Sequence, residues 1–357
     1  MGFKVSSNGL NQHRVVPSVP MSCSIGVHDV SLKAEDRHAM QTVQMAGMPT
    51  LIIASVFDGH GGSAASQQCS ERMAAHIASI ASIASSASSA SDDGSLSSCD
   101  TCESSDFGPL SLIGRYVRDA FEQLHCEIRE AYLNAGTTAT VLVIDTTNFQ
   151  VLCANVGDTE AIVLDSSHWA MVTVNHRLSA SKNEVDRVRR AGAAVWSLQR
   201  KDGKRSPVGG LRLWPGGLSM GRSLGDADCG AAVIAKPAVQ MVDVIGDATF
   251  VVCSDGVWDS LDIEDVLRAA RTDCSADDIA RDVVTSAVAK RGLRDDTTCM
   301  VIKLGSDGSF AEASHDQAKP RRRSTTVSRI SSLFGRLLAT RESSHPAATI
   351  QISTYER

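Results

Sequence analysis

The chain has 357 residues, 43% hydrophobic and 21% charged, a composition that builds a core and excludes a wholly disordered or fibrous protein. Its 35 Lys and Arg against 41 Asp and Glu give a net charge of −6, which argues against a nucleic-acid binder. No apolar run nears the roughly 18 residues that cross a bilayer. The first 22 residues hold no secretory apolar stretch, and the 10 scattered Cys read as free thiols rather than a disulfide framework. The expectation is a soluble, monomeric protein of the cytoplasm or nucleus.

Residues 1–21 are polar and read as a flexible arm, with order beginning near Ser22. Leu51–Phe57 is a compact apolar run that predicts a strand. Ser63–Ala84 carries Ala, Met and Ile spaced for one helical face. Residues 85–106 break the pattern: 10 of the 22 are Ser, five are acidic and none is basic. Such a segment buries too little apolar surface to offset its ordering entropy, so a disordered insertion between two helices is predicted. Its Cys99-x-x-Cys102 pair has no second Cys/His pair nearby to complete a zinc site.

Leu110–Leu133 predicts a helix, followed by strands at 138–145, 150–154 and 160–164. Thr146-Thr147-Asn148 joins the first two as a hairpin loop. From Asp165 to about Leu218 the chain is polar and Gly-rich, with one short helix predicted over 182–191. A strand at 249–253, helices at 263–270 and 276–290, and a strand at 298–304 complete the order. Strands and helices come in blocks, which predicts antiparallel sheets with helices packed on them. Within Lys319–Glu342 seven basic residues face one acidic residue, so 306–357 reads as a basic, largely disordered tail.

Three acidic motifs sit at predicted strand ends: Phe57-Asp58-Gly59-His60-Gly61-Gly62, Ser254-Asp255-Gly256, and Arg294-Asp295-Asp296-Thr297. Taken singly, an Asp-Gly after a strand is a turn signal and an Asp-Asp pair is an ordinary solvated face. Together with Glu35-Asp36 they change meaning, because carboxylates do not converge without counter-charge. Hard cations such as Mg²⁺ or Mn²⁺ are the natural partners of an oxygen cage.

These motifs, with GTTATVLV at 136–143, ANVGDT at 154–159 and LSMGRSLGD at 218–226, occur in the order found in the protein phosphatase 2C family of metal-dependent Ser/Thr phosphatases. The chain resembles that family over about residues 23–304. WPGG at 214–217 and GLRDDTTC at 292–299 resemble its plant-type branch. The resemblance implies an α+β fold, an α-β-β-α sandwich of two antiparallel sheets flanked by helices, spanning 22–305. It implies hydrolysis of phosphoserine and phosphothreonine in phosphorylated proteins by a hydroxide bridging two Mg²⁺ or Mn²⁺ ions. Asp58, the Gly59 carbonyl, Asp255 and Asp295 match its metal ligands. Glu35 and Asp36 match a pair that holds metal-bound waters, and Asp158 matches a position tied to a weaker third ion. His60 matches its general acid, consistent with the one side chain that titrates unperturbed near pH 7; His176 reads as structural.

The chain departs from the family pattern at three places. Ser31 stands where an Arg usually grips phosphate, leaving Lys33 as a candidate phosphate contact without the planar fork of Arg. Asp295-Asp296 replaces the usual Asp-Asn, which keeps the ligand. Glu160 stands where Arg is common, with no physical account from sequence. Two rivals stay open: a pseudophosphatase acting as a binding module, and a hydrolase of small phosphoesters. Membrane contact through Met1–Ser6 acylation, or through the amphipathic spacing of Ile330–Leu338, is not favoured over a free arm and a free tail. Arg321–Ser324 offers a kinase site or a nuclear signal.

Overall fold

The computed structural model describes residues 21–44, 49–89, 109–197, 210–305 and 351–355. Two antiparallel sheets stack face to face. One has five strands in the order Ser22–Val30, Thr297–Gly305, Ala248–Cys253, Glu160–Leu164, Trp169–Met171. The other has six, in the order Gln351–Tyr355, Ala238–Asp243, Gln150–Val156, Ala139–Asp145, Leu51–Phe57, Arg37–Val43. Helices Ala64–Ser89 and Pro109–Ala131 cover the six-stranded sheet; Ile263–Ala270 and Ala276–Arg291 cover the five-stranded one. The α-β-β-α sandwich expected from the resemblance is the observed fold.

The continuous apolar runs follow from this layering. A strand covered on both faces has no polar side to alternate with. In Ala139–Asp145, Val141 and Val143 pack under the helices while Leu142 and Ile144 pack between the sheets. Phe250 and Val252 likewise face the other sheet, and Val251 and Cys253 face the helices at 263–291. This period of two sorts one strand's side chains into two cores. Helix Ala276–Arg291 starts at Ser275, whose side chain accepts from the Asp278 N–H, carries Asp277 and Asp278 in its first turn, and ends before Gly292. Those are favourable choices for the cap and for the helix dipole. It lies so close to the first strand that a Cβ on Gly26 would sit 2.1 Å from the Asp277 nitrogen; only glycine allows the approach.

The strands at 51–57 and 160–164 and the helix at 263–270 have the predicted bounds. Asp145 closes the predicted hairpin by accepting from the Thr147 and Asn148 N–H groups. Several elements were not anticipated. Ser22–Val30, Arg37–Val43 and Ala238–Asp243 have side chains that are mostly half-buried and so lack an apolar run. The polar 165–218 stretch contributes strands Trp169–Met171, Ala194–Ser197 and Leu211–Trp214 besides helix Lys182–Arg190. The first helix continues through Ser89, into the stretch read as a disordered insertion. Met21, assigned to the arm, is already buried. Gln351–Tyr355, inside the stretch read as tail, adds an edge strand against Ala238–Asp243.

The rest of the arm and most of the insertion and tail, with Cys99, Cys102, the acylation spacing, Arg321–Ser324 and the 330–338 segment, lie outside the described residues. Eight Cys are described and all are unpaired. No described helix is long and apolar enough to cross a membrane.

His125, on helix Pro109–Ala131, is buried and accepts the Gly225 N–H at Nδ1, 3.1 Å away. Burial and the nearby Arg129 push its pKa down to about 4. The unfolded chain takes up this proton near pH 6.5 and the folded chain does not, so stability falls as pH drops from about 6.5 to about 4. Urea unfolding of the wild type should lose up to about 3 kcal/mol more over that interval than His125→Leu.

Candidate active site

One end of the sandwich gathers the acidic motifs. Asp58 follows the strand Leu51–Phe57, Asp255 follows Ala248–Cys253, and Asp295 precedes Thr297–Gly305. With Lys33, Gly59, His60, Asp158, Asp226 and Asp228 they line a cleft of about 430 Å³. The cleft's other wall is Arg212 and Gly216–Met220, from the segment after the hairpin strand Leu211–Trp214.

The short motifs hold these side chains in place. The Asp58 N–H donates to Thr138 Oγ1 at 3.1 Å, and its carbonyl accepts from the Thr137 hydroxyl at 3.0 Å and the Thr138 N–H at 2.9 Å. The Thr138 hydroxyl lies 2.7 Å from that of Thr159. The GTT and GDT stretches thus brace Asp58. A Cβ on Gly59 would stand 2.5 Å from the Glu35 carbonyl oxygen, so the backbone enters this corner only as glycine. Glu35 Oε1 accepts the Gly62 N–H at 2.6 Å, and Asp36 Oδ2 accepts the Thr298 hydroxyl at 2.7 Å.

The 31–36 loop is organised by Asp296, to which the sequence assigned no role beyond following a ligand. Its Oδ1 accepts from the N–H groups of Leu32 at 2.5 Å, Lys33 at 2.7 Å and Ala34 at 3.3 Å. Its Oδ2 accepts from Glu35 at 2.6 Å and Asp36 at 3.1 Å. Burial opposes this charge, but the backbone donors outweigh it and hold the carboxyl well below the usual range. Ser31 donates to the same carboxylate at 3.1 Å and accepts the Ala34 N–H at 2.7 Å, which makes it a turn residue. Lys33 does face the cleft, and its Nζ sits 2.8 Å from Asp295 Oδ1.

His60 Nε2 lies 2.8 Å from Asp226 Oδ1, and Ser223 donates to the other oxygen of Asp226. Burial opposes the imidazolium, yet Asp226, then Asp158 and Glu35, raise its pKa above the ordinary value. Asp226 is buried and left-handed, with φ 57°. Nothing local in LSMGRSLGD marks Asp226 as the partner of His60.

The carboxylates repel one another. Burial, followed by the charges of Asp255, Asp36, Asp158 and Asp295, pushes Asp58 well above its ordinary pKa. Burial and Asp158 push Asp255 up to about 7, although Arg177 pulls the other way. Burial pushes Asp36 up to about 6 against hydrogen bonds from Thr298 and Ser254. Asp255 contacts Arg177 at 2.6 Å and Asp295 contacts Lys33 at 2.8 Å; Asp58, Asp255 and Asp295 are not among the trios of described residues within 4.8 Å of one another. Among the described residues, the trio within that distance is Asp226, Asp228 and Cys229 on the cleft wall. Asp158 is 2% exposed, and its Oδ1 has no hydrogen-bond partner. An all-oxygen donor set with an orphaned buried carboxylate oxygen and a glycine-only corner fits hard divalent cations.

The family profile described as "Protein phosphatase 2C" matches residues 24–296, and the chain belongs to that family. It is 29% identical over 301 residues to "Probable protein phosphatase 2C 15" of Oryza sativa subsp. japonica, covering 83% of this chain and 63% of that protein. It is 30% identical over 285 residues to "Probable protein phosphatase 2C 12" of Arabidopsis thaliana, covering 78% and 61%. The chain thus spans about three fifths of the length of these curated plant relatives. Among solved structures, the serine-threonine phosphatase 2C of Toxoplasma gondii shares the fold with a TM-score of 0.60 at 18% identity, covering 81% of this chain and 97% of that one.

Replacing Asp296 by Ala strands five backbone donors and should lower stability by about 3 kcal/mol in urea unfolding. Asp296→Asn keeps one acceptor oxygen and should cost less. Equal loss in the two variants would contradict the role given to this carboxylate.

Proposed function

We propose that this chain is a metal-dependent phosphatase that removes phosphate from phosphoserine and phosphothreonine in phosphorylated proteins. One observation carries the reading: Asp58, Asp158, Asp255 and Asp295, from four separate stretches, line a single cleft with His60 and Lys33. Family membership supports it. Residues 21–305, with the edge strand Gln351–Tyr355, form the catalytic unit, with 1–20 as an arm, 90–106 as the insertion and 306–350 as a basic tail. The named substrate class and the ions are part of the proposal.

Two Mg²⁺ or Mn²⁺ ions, held by Asp58, the Gly59 carbonyl, Asp255 and Asp295, with Glu35 and Asp36 holding their waters, would supply a water nucleophile at neutral pH and positive charge against the phosphoryl oxygens. The chain's own groups do the rest. Lys33 presents a cation at the rim, where a phosphoryl oxygen displaces its contact with Asp295. Asp226 holds Nε2 of His60, which leaves Nδ1 as the nitrogen that delivers a proton to the departing seryl or threonyl oxygen. Against burial, Asp226 raises the pKa of His60 above the ordinary value, which favours the protonated form. Reading the chain as a binding module has no observation in its favour, because every candidate ligand side chain is a carboxylate.

Turnover of a phosphothreonine peptide should depend on added Mn²⁺, stop with chelator and fall about 100-fold or more in Asp58→Asn. Turnover of small phosphoesters alone, or none by folded, Mn²⁺-loaded protein, would sink the proposal. In Lys33→Ala, KM should rise about 5-fold, close to 1 kcal/mol for a half-exposed cation, with kcat less affected. An unchanged KM would remove Lys33 from substrate binding.

A further inference from the structure

Arg177 pairs with two of the cleft's carboxylates, and neither the metal ligands nor the proton donor account for it. Its Nε donates to Asp158 Oδ2, its Nη2 to Asp255 Oδ2 and its Nη1 to Asp259 Oδ1, each at 2.6 Å. One guanidinium thus ties three carboxylates, using the fork geometry that Lys lacks. Its side chain is 23% exposed and that of Asp158 is 1% exposed. The backbone is fixed as firmly as the side chain. The Arg177 N–H donates to Asn175 Oδ1 at 2.9 Å, its carbonyl accepts from Ala180 and Ser181, and it bridges to Met220. The Asn175 amide donates in turn to Glu160 Oε1 at 2.7 Å. Glu160, unexplained in the sequence, therefore helps to set the position of Arg177.

We propose that Arg177 is a resident counter-ion: its guanidinium fills the place between Asp158 and Asp255, so the cage takes two divalent ions and excludes a third. The inference rests on the two-ion reading above and goes beyond it, since the resemblance leaves room for a weaker third ion at Asp158. A guanidinium keeps its proton at every accessible pH, so pH does not release it from the carboxylates. An ion seated between Asp158 Oδ2 and Asp255 Oδ2 must break both charge-assisted hydrogen bonds, and one approaching the free oxygens Asp158 Oδ1 and Asp255 Oδ1 meets the repulsion of the fixed guanidinium. Asp255 keeps its second oxygen for an ion, and the charge of buried Asp158 is matched without one.

The test is Mn²⁺ stoichiometry of the chelator-stripped full chain at pH 7, by calorimetric titration with free Mn²⁺ checked by electron paramagnetic resonance. Wild type should bind two ions. Arg177→Met should gain a third, weaker site, and Arg177→Met with Asp158→Asn should return to two. If Arg177→Met does not fold, Asp158→Asn alone decides: the count stays at two if the guanidinium holds the place, and drops from three to two if a metal does. Three ions in wild type, or no gain in folded Arg177→Met, would overturn the inference and leave the two-ion reading standing. Fewer than two ions in wild type would overturn both.

Discussion

Mutual repulsion among carboxylates is the constraint around which this molecule is built. Asp58, Asp158, Asp226, Asp255 and Asp295 line one cleft, and each charge taken from water costs several kcal/mol unless matched. The chain matches them piecemeal. Lys33 sits on Asp295, Arg177 spans Asp158 and Asp255, and His60 meets Asp226. Among the described residues Asp58 makes no such ion pair, and burial with the charges of Asp255, Asp36, Asp158 and Asp295 pushes its pKa up. Its backbone is braced by Thr137 and Thr138.

Two stacked sheets make that concentration of charge tenable. Core clusters on both faces of the central strands fix where those strands end. Side chains at strand ends inherit that rigidity. The loop carrying Glu35 and Asp36 has no core of its own and relies on Asp296, a carboxylate solvated by backbone N–H groups. Two neighbouring aspartates thus do opposite work: Asp295 faces the cleft, while Asp296 turns inward and ties the first strand's end to the last strand.

The buried strands and most helices were legible because burial on both faces writes apolar runs into the sequence. The edge strands were not, since Arg37–Val43 alternates half-buried and exposed positions without an apolar run. The acidic motifs were legible as a set, through their order and their positions at strand ends. What escaped was partnership between distant residues. Nothing local ties Asp226 to His60 or Arg177 to Asp158, Asp255 and Asp259, and Asp296 looks like any acidic neighbour until five N–H groups converge on it. Ser31 replacing an expected Arg was legible as a loss; that it serves the turn was not.

Thermal melting of the wild type and Asp58→Asn, with and without Mn²⁺, tests the central claim most directly. The account predicts that Asp58→Asn, relieved of a repelled charge, melts higher than wild type when chelator is present. It predicts that Mn²⁺ at about 100 times its dissociation constant stabilises wild type by about 2.7 kcal/mol for each ion bound and Asp58→Asn far less. Equal stabilisation of the two proteins, or no response from wild type, would contradict it.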